Sequence, residues 1–336
     1  MTILIGDKEK RLGLALSGGG FRAAAFHLGV FRKLHQLGLL WKLDLLTCVS
    51  GGSIAGAFLA CHWGEDDALD GQDHYLRHTS IAVSSVLGGV LDPFSSRLDK
   101  LADAYDRDLF HGRTLGSLPG GPRLYLNATN LATGNMFFFV TGGGKAPEIG
   151  EHELGTCTLA DFPLSRAVAA SSAFPPVFPP LKLAQDIYPA AGVDYVTLSD
   201  GGVYDNLGVN PLFRKRNALD YLLVSDGGKP FAIDAQPTEL GTAVLVAAID
   251  ILMEQVRGLQ FKRLELNGMT EGGAKPVWFS IDSTVGEERE GDAAFASSIG
   301  TNLSRLSTAE MSVLGRHGAA LLTHRLRTYV PEIIPA

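Results

Sequence analysis

Cysteine is scarce in this chain. Cys48, Cys61 and Cys157 are the three present, too few and too scattered for a disulfide framework or a zinc site, and they fit a reducing, cytoplasmic compartment. Positive charge is short as well. Lys and Arg total 29 against 36 Asp and Glu, and a net charge of -7 leaves no electrostatic footprint for nucleic acid. Anionic membranes would be repelled on average, so peripheral membrane contact would have to be apolar or locally basic. Long apolar runs are also missing. Charge interrupts the first residues before a signal-peptide core can form, and the densest run, residues 243–253, contains Asp250 and is too short to span a bilayer.

What remains is a globular composition, 46% hydrophobic and 19% charged over 336 residues. That length suits one large α/β domain. We expect a single catalytic domain over residues 1–336, with an inserted cap or lid at 65–121 and a C-terminal helical extension at 240–336 packing on the core.

Residues 12–17 (LGLALS) form a short apolar run that enters Gly18-Gly19-Gly20, after which Phe21 opens a helical pattern: strand, glycine loop, helix. Residues 43–49 (LDLLTCV) repeat the arrangement, with Ser50 and Gly51 at the corner and a helix of small residues beyond. Two such units argue for a parallel sheet with helices on its faces. Residues 124–129 and 136–140 read as a hairpin or a pair of adjacent strands, so the sheet is mixed, and residues 193–198 and 219–224 as strands that each run into an Asp-Gly-Gly turn, at Asp200 and Asp226. A long helix follows over 242–262, and Ser307 to Glu310 makes a capping box for a last one.

The corner Cys48-Val49-Ser50-Gly51-Gly52 is where chemistry is expected. A serine between a buried strand and a helix points its hydroxyl outward from a strained turn, small neighbours let a substrate approach, and the helix N-terminus favours negative charge. A Ser N-cap before a glycine-rich helix start would look the same. Gly18, Gly19 and Gly20, beside Ser50 in a parallel sheet, offer backbone N–H groups to an oxyanion, and Arg22 adds a cationic donor. Phosphate binding fails on pattern: SGGGFRAAAF has no Lys-Ser/Thr and its glycines are consecutive. The serine needs a base. Asp200 and Asp226 stand in the same local context, and local sequence does not choose between them.

Four blocks in order, SGGGFRAAAFHLGV, DLLTCVSGGSIAGA, ASSAFPPVFPP and LSDGGVYDNLG, resemble the patatin-like phospholipases over residues 11–210. That resemblance implies an α/β, three-layer fold with a mostly parallel central sheet flanked by helices. It also implies a Ser-Asp dyad in place of a triad, acting on fatty acyl esters of lipids or phospholipids through an acyl-serine, with no metal or organic cofactor. Carried over, the family's oxyanion loop falls on Ser17 to Arg22, with Ser17 replacing an acidic residue. Its elbow falls on Cys48, Val49, Ser50, Gly51 and Gly52, with Cys48 replacing a glycine. Its Asp motif falls on Asp200, Gly201 and Gly202, which leaves Asp226 as a structural turn. Asn127, Thr129, Asn130 and Thr133 resemble a further block that supports the sheet.

Because Cys48 alters the elbow, Ser53 in Gly51-Gly52-Ser53-Ile54-Ala55 is a rival, disfavoured because it lies within the helix. A Ser-Asp-His triad with His317 or His324 has the right chain order but places both histidines on a helix. The same dyad could serve a thioesterase or acyltransferase, and a silent lipid-binding protein could share the fold. The apolar residues 81–91, Val86 among them, are expected to cap the site and touch lipid, or else to pack into the core.

Overall fold

The computed structural model describes residues 3–81, 97–118, 120–231, 236–237 and 239–335. Residues 82–91, and with them the expected lid around Val86, lie outside the described residues, while Ile81 is buried.

A short hairpin, β1 (Ile3–Ile5) and β2 (Lys8–Lys10), precedes the first core strand β3 (Leu12–Leu16). β3 is buried throughout, the mark of a strand covered on both faces. Gly18 and Gly19 then turn the chain into α1 (Gly20–Gln36), and β4 (Leu43–Cys48) leads through Ser50 into α2 (Gly51–Cys61), every residue of which is buried. Both strand-loop-helix units lie where the sequence places them.

Helices α3 (Ala68–His78) and α4 (Arg97–Tyr105) come next, followed by the hairpin β5 (Arg123–Asn130) and β6 (Met136–Thr141). Strands β7 (Glu148–Glu151), β8 (Gly155–Thr158) and β9 (Leu181–Ala184) extend the sheet. The sequence pattern does not reveal them, being short and only partly apolar. Between β8 and β9 lies α5 (Leu164–Ser171). Then β10 (Tyr195–Asp200) enters the short helix α6 (Gly202–Asp205), and β11 (Tyr221–Asp226) ends at the second Asp-Gly-Gly turn. The long helix α7 (Gly241–Met269), β12 (Lys275–Ser280), α8 (Asp292–Ser298) and α9 (Thr308–Tyr329) complete the chain. Ser307 caps α9, with the reciprocal Glu310 bond of a capping box.

The sheet runs β12-β11-β3-β4-β5-β6-β7-β8, parallel from β12 to β5 and antiparallel from β5 onward. Helices cover both faces, which makes the α/β three-layer arrangement. On one face α1, α2 and α9 pack with Phe21, Phe26, Phe31 and Leu34 in the larger core. Side chains of β4, β5, β6 and β11 on the opposite face meet Leu207, Val209, Leu212 and Leu264 in a smaller one. Gly29 of α1 lies against the backbone of Gly315 of α9, a contact that leaves no room for a Cβ.

One departure from a simple sheet places the site. β10 pairs antiparallel with β5, Asp200 opposite Ala128, while β4 pairs parallel with β5, Cys48 opposite Leu126. Since β4 and β10 run in opposite directions beside the same strand, their C-terminal ends face each other. Ser50 leaves one end and Asp200 occupies the other.

Candidate active site

The Ser50 backbone sits at φ 50 and ψ -116, a region that non-glycine residues rarely adopt. Tertiary bonds impose that strain. Val49 N–H donates to the Leu16 carbonyl (3.1 Å), Ser50 N–H to the Ser171 hydroxyl (3.1 Å), and Gly52 N–H to the Ser17 carbonyl (3.1 Å). Ser171 donates in turn to the Asn127 carbonyl (2.6 Å), so its hydroxyl ties the elbow to β5.

Ser53 shares that brace. It is fully buried, 2.8 Å from the Ser171 hydroxyl, which already uses its proton on Asn127, so Ser53 donates. Its role is to hold the elbow from behind. Cys48 is buried with its thiol against Gly56 of α2, and burial pushes its pKa well up, as befits a packing residue.

Asp200 is 2% exposed. Its Oδ1 accepts the Gly202 N–H at 2.7 Å, and Oδ2 has no hydrogen-bond partner of good geometry. Burial raises the carboxyl pKa to about 7, against the pull of the Gly202 N–H and of the nearby Ser50 hydroxyl. Thr129 donates to the Asp200 carbonyl (2.8 Å), and Asp200 N–H donates to the Ala173 carbonyl (3.0 Å). The backbone of Asp200 is therefore fixed while half its carboxylate stays open. Gly201 lies against the Asn127 carbonyl and Val49, too close for a Cβ.

Asp226 is buried too, but its Oδ2 takes the Arg257 Nε at 2.7 Å while Oδ1 accepts the Gly228 N–H at 2.9 Å. Behind it, His27 is fully buried between the Ser17 carbonyl (3.0 Å) and the Ser225 hydroxyl (2.8 Å). A carbonyl only accepts, so Nε2 carries the proton, and burial lowers the His27 pKa to about 4.

The glycine loop abuts the elbow: Gly20 backbone atoms lie where a Cβ on Gly51 would go, and Gly18 stands close to the Ser50 Cβ. Two oxyanion expectations need correction. Gly18 N–H is taken by the Asn206 carbonyl (3.1 Å). Arg22 is fully buried, and its guanidinium donates to the carbonyls of Gly227 (3.1 Å) and Ile299 (2.9 Å), so it ties α1 to the later chain and is not aimed at the elbow. Among the described residues, the N–H groups of Gly19 and Gly20 donate to no protein acceptor.

The histidine alternatives also fail. His317 Nε2 donates to the Ile281 carbonyl (2.9 Å), His324 packs on Gly286, and among the described residues no histidine bonds to Ser50 or Asp200. Asn127 donates to the Thr47 hydroxyl (2.8 Å) and the Cys48 carbonyl (3.2 Å), tying β5 to the end of β4 as a support. Sequence alone does not single out two further residues: Ser171, and Asn206, whose side chain fills the space beside Gly18, Gly202 and Gly228. Both lie inside the quoted blocks ASSAFPP and VYDNLG, which are the available signal.

A family model described as patatin-like phospholipase matches residues 14–213. The structure is similar to human GIVD cytosolic phospholipase A2, with a TM-score of 0.61 at 14% identity, covering 96% of this chain and 60% of that one. The same human protein in complex with methyl gamma-linolenyl fluorophosphonate gives a TM-score of 0.58 at 13% identity, covering 96% and 59%. The chain thus spans about 60% of the length of those structures. No curated protein sequence matches it.

Proposed function

Because the chain belongs to the patatin-like phospholipase family, we propose that it hydrolyses fatty acyl esters of phospholipids and related lipids through an acyl-Ser50 intermediate, with Asp200 as the only side-chain base. One observation carries this reading: a strained serine and a buried, half-unpartnered carboxylate come from facing strand ends beside one strand. A carboxylate with a pKa near 7 is poised both to take and to return a proton at neutral pH.

In the first half-reaction the Ser50 hydroxyl passes its proton to Asp200 as its oxygen bonds the ester carbonyl carbon, and charge collects on the carbonyl oxygen. Gly19 and Gly20 N–H groups, at the N-terminus of α1, are the donors suited to that oxyanion. Collapse breaks the ester C–O bond, and the departing alcohol takes the proton from Asp200. In the second half-reaction Asp200 takes a proton from water, the hydroxide adds to the acyl-Ser50, and the fatty acid leaves as the proton returns to the Ser50 oxygen.

The test is covalent. A lipid-like fluorophosphonate should add one adduct per chain, mapped by mass spectrometry to Ser50, and Ser50→Ala should abolish both the adduct and fatty-acid release from phosphatidylcholine. Labelling of Ser53, or release that survives Ser50→Ala, would overturn the assignment.

A further inference from the structure

Over residues 243–252 the side of α7 turned away from the protein is apolar, the reverse of a helix that meets water. Leu245 and Leu252 are each 65% exposed, Leu259 is 71% exposed, and Val244 and Ile251 lie open beside them. The inward side is anchored. Leu264 is buried, Arg257 reaches Asp226 and Ser280, and the Met253 methyl group packs beside Gly202, two residues from Asp200. One helix therefore carries the dyad's turn on its inner side and an open apolar arc on its outer side.

We propose that this outer arc of α7 lies in the surface of a lipid bilayer and brings the Ser50-Asp200 site to its substrate. The proposal rests on the hydrolase reading for its purpose and on the helix for its geometry.

Two observations select lipid over a second copy of the chain. Leu245, Leu252, Leu259 and Leu266 recur every seven residues, but a two-stranded coiled coil uses a narrow seam flanked by charged positions. Here the outward arc of the first turns is apolar, with Val244, Ala248 and Ile251 widening it, while Asp250 and Glu254 at its margin are only partly exposed and Glu254 turns to Arg257 at 3.3 Å. Later on the helix Lys262 and Arg263 are exposed, Lys262 paired with Glu265 at 2.8 Å and Arg263 donating to the Asn210 side-chain oxygen at 2.7 Å. This end of the arc therefore carries one net positive charge for phosphate headgroups, on a chain whose net charge is -7. No helix among the described residues is long and apolar enough to cross a membrane, so the mode of contact proposed for α7 is lying on the surface.

The experiment uses full-length Ser50→Ala protein, so that binding is read without turnover, and vesicles of phosphatidylcholine doped with phosphatidylglycerol. The protein should float with the vesicles. Adding Leu245→Asp and Leu252→Asp should leave the melting temperature in place, since both side chains are exposed, and lower the bound fraction more than about tenfold. Leu4→Asp, at an exposed leucine off the helix, should change nothing. In a separate variant, Leu252→Trp, the added indole emission should shift to the blue on vesicles and be quenched by brominated phosphatidylcholine. Unchanged flotation of the double variant, equal loss with Leu4→Asp, an indole at position 252 that stays unquenched, or a wild-type dimer that the double variant splits would each overturn the proposal. Vesicle binding together with no fluorophosphonate adduct at Ser50 of the wild-type protein would defeat the hydrolase reading alone, and a wild-type adduct without vesicle binding would defeat this one alone.

Discussion

The chain writes Asp-Gly-Gly twice, at the ends of β10 and β11, and uses the two turns for opposite purposes. Locally they are alike: each aspartate is buried and accepts, through Oδ1, the N–H two residues on. They differ at the second oxygen. Asp226 meets Arg257, delivered by α7, whereas Asp200 has no cation beside it among the described residues. A buried carboxylate with a cation is a strut, and one without is a base held at a cost in stability. The turn supplies the aspartate, and what packs against it decides what the aspartate does.

The largest effect should come from taking away the base. Asp200→Asn keeps the shape and the Gly202 bond but cannot accept a proton, and kcat/KM should fall by at least about a thousandfold with circular dichroism unchanged. Wild-type kcat/KM should rise with pH through about 7 as Asp200 ionises. Stability should run the other way. The folded carboxyl keeps its proton up to about 7 while the unfolded one loses its near pH 4, so the native state loses stability as pH rises between them. Asp200→Asn should accordingly melt higher than wild type at pH 8, by up to a few kcal/mol on the order of that shift. A variant that melts lower would show that Asp200 is a second strut.

Asp226→Asn should show the opposite signs. It removes the buried ionic partner of Arg257, leaving Ser280, Glu254 and Asp282, and should cost about 1–3 kcal/mol in urea unfolding at an unchanged m-value. Activity per folded molecule should stay within about threefold of wild type. Loss of activity on the scale of Asp200→Asn would erase the distinction between the turns.

The smallest effect belongs to Ser53→Ala. It removes one of the bonds at the Ser171 hydroxyl, and the loss should be about 1 kcal/mol with most ester turnover kept. Turnover that vanished in a folded Ser53→Ala protein would mean that the brace, and not only the elbow, takes part in the chemistry.

Local pattern makes much of this legible. The apolar runs before Gly18 and Ser50 are buried parallel strands, and such runs with glycine corners have few alternative readings. Sequence goes astray where a side chain's partner lies far along the chain. Arg22 looks like a free cation near a glycine loop, yet its acceptors are the carbonyls of Gly227 and Ile299. Ser171 looks like a helix-end serine until β5 and the elbow are brought to it. Asp200 and Asp226 separate structurally only once Arg257 arrives from α7. The apolar residues of α7 are visible as a run, but which of its sides faces outward depends on what the other side holds.

The shared edge of β5 has a consequence for spacing. With Cys48 in register with Leu126 and Asp200 with Ala128, β5 acts as a ruler on which both reacting groups are marked, and neither mark depends on the lengths of the connections that lead into and out of β5. Lengthening or shortening the connections from α2 to β10 leaves the interval unchanged, so the fold tolerates variation there without detuning the pair. One residue inserted into β5 near Asn127 would move the marks apart by roughly 3.3 Å and turn the far one to the opposite side of the sheet. The tolerance of this fold to insertion is therefore sharply uneven, generous across the long connections between α2 and β10 and nil within the few residues that hold the scale.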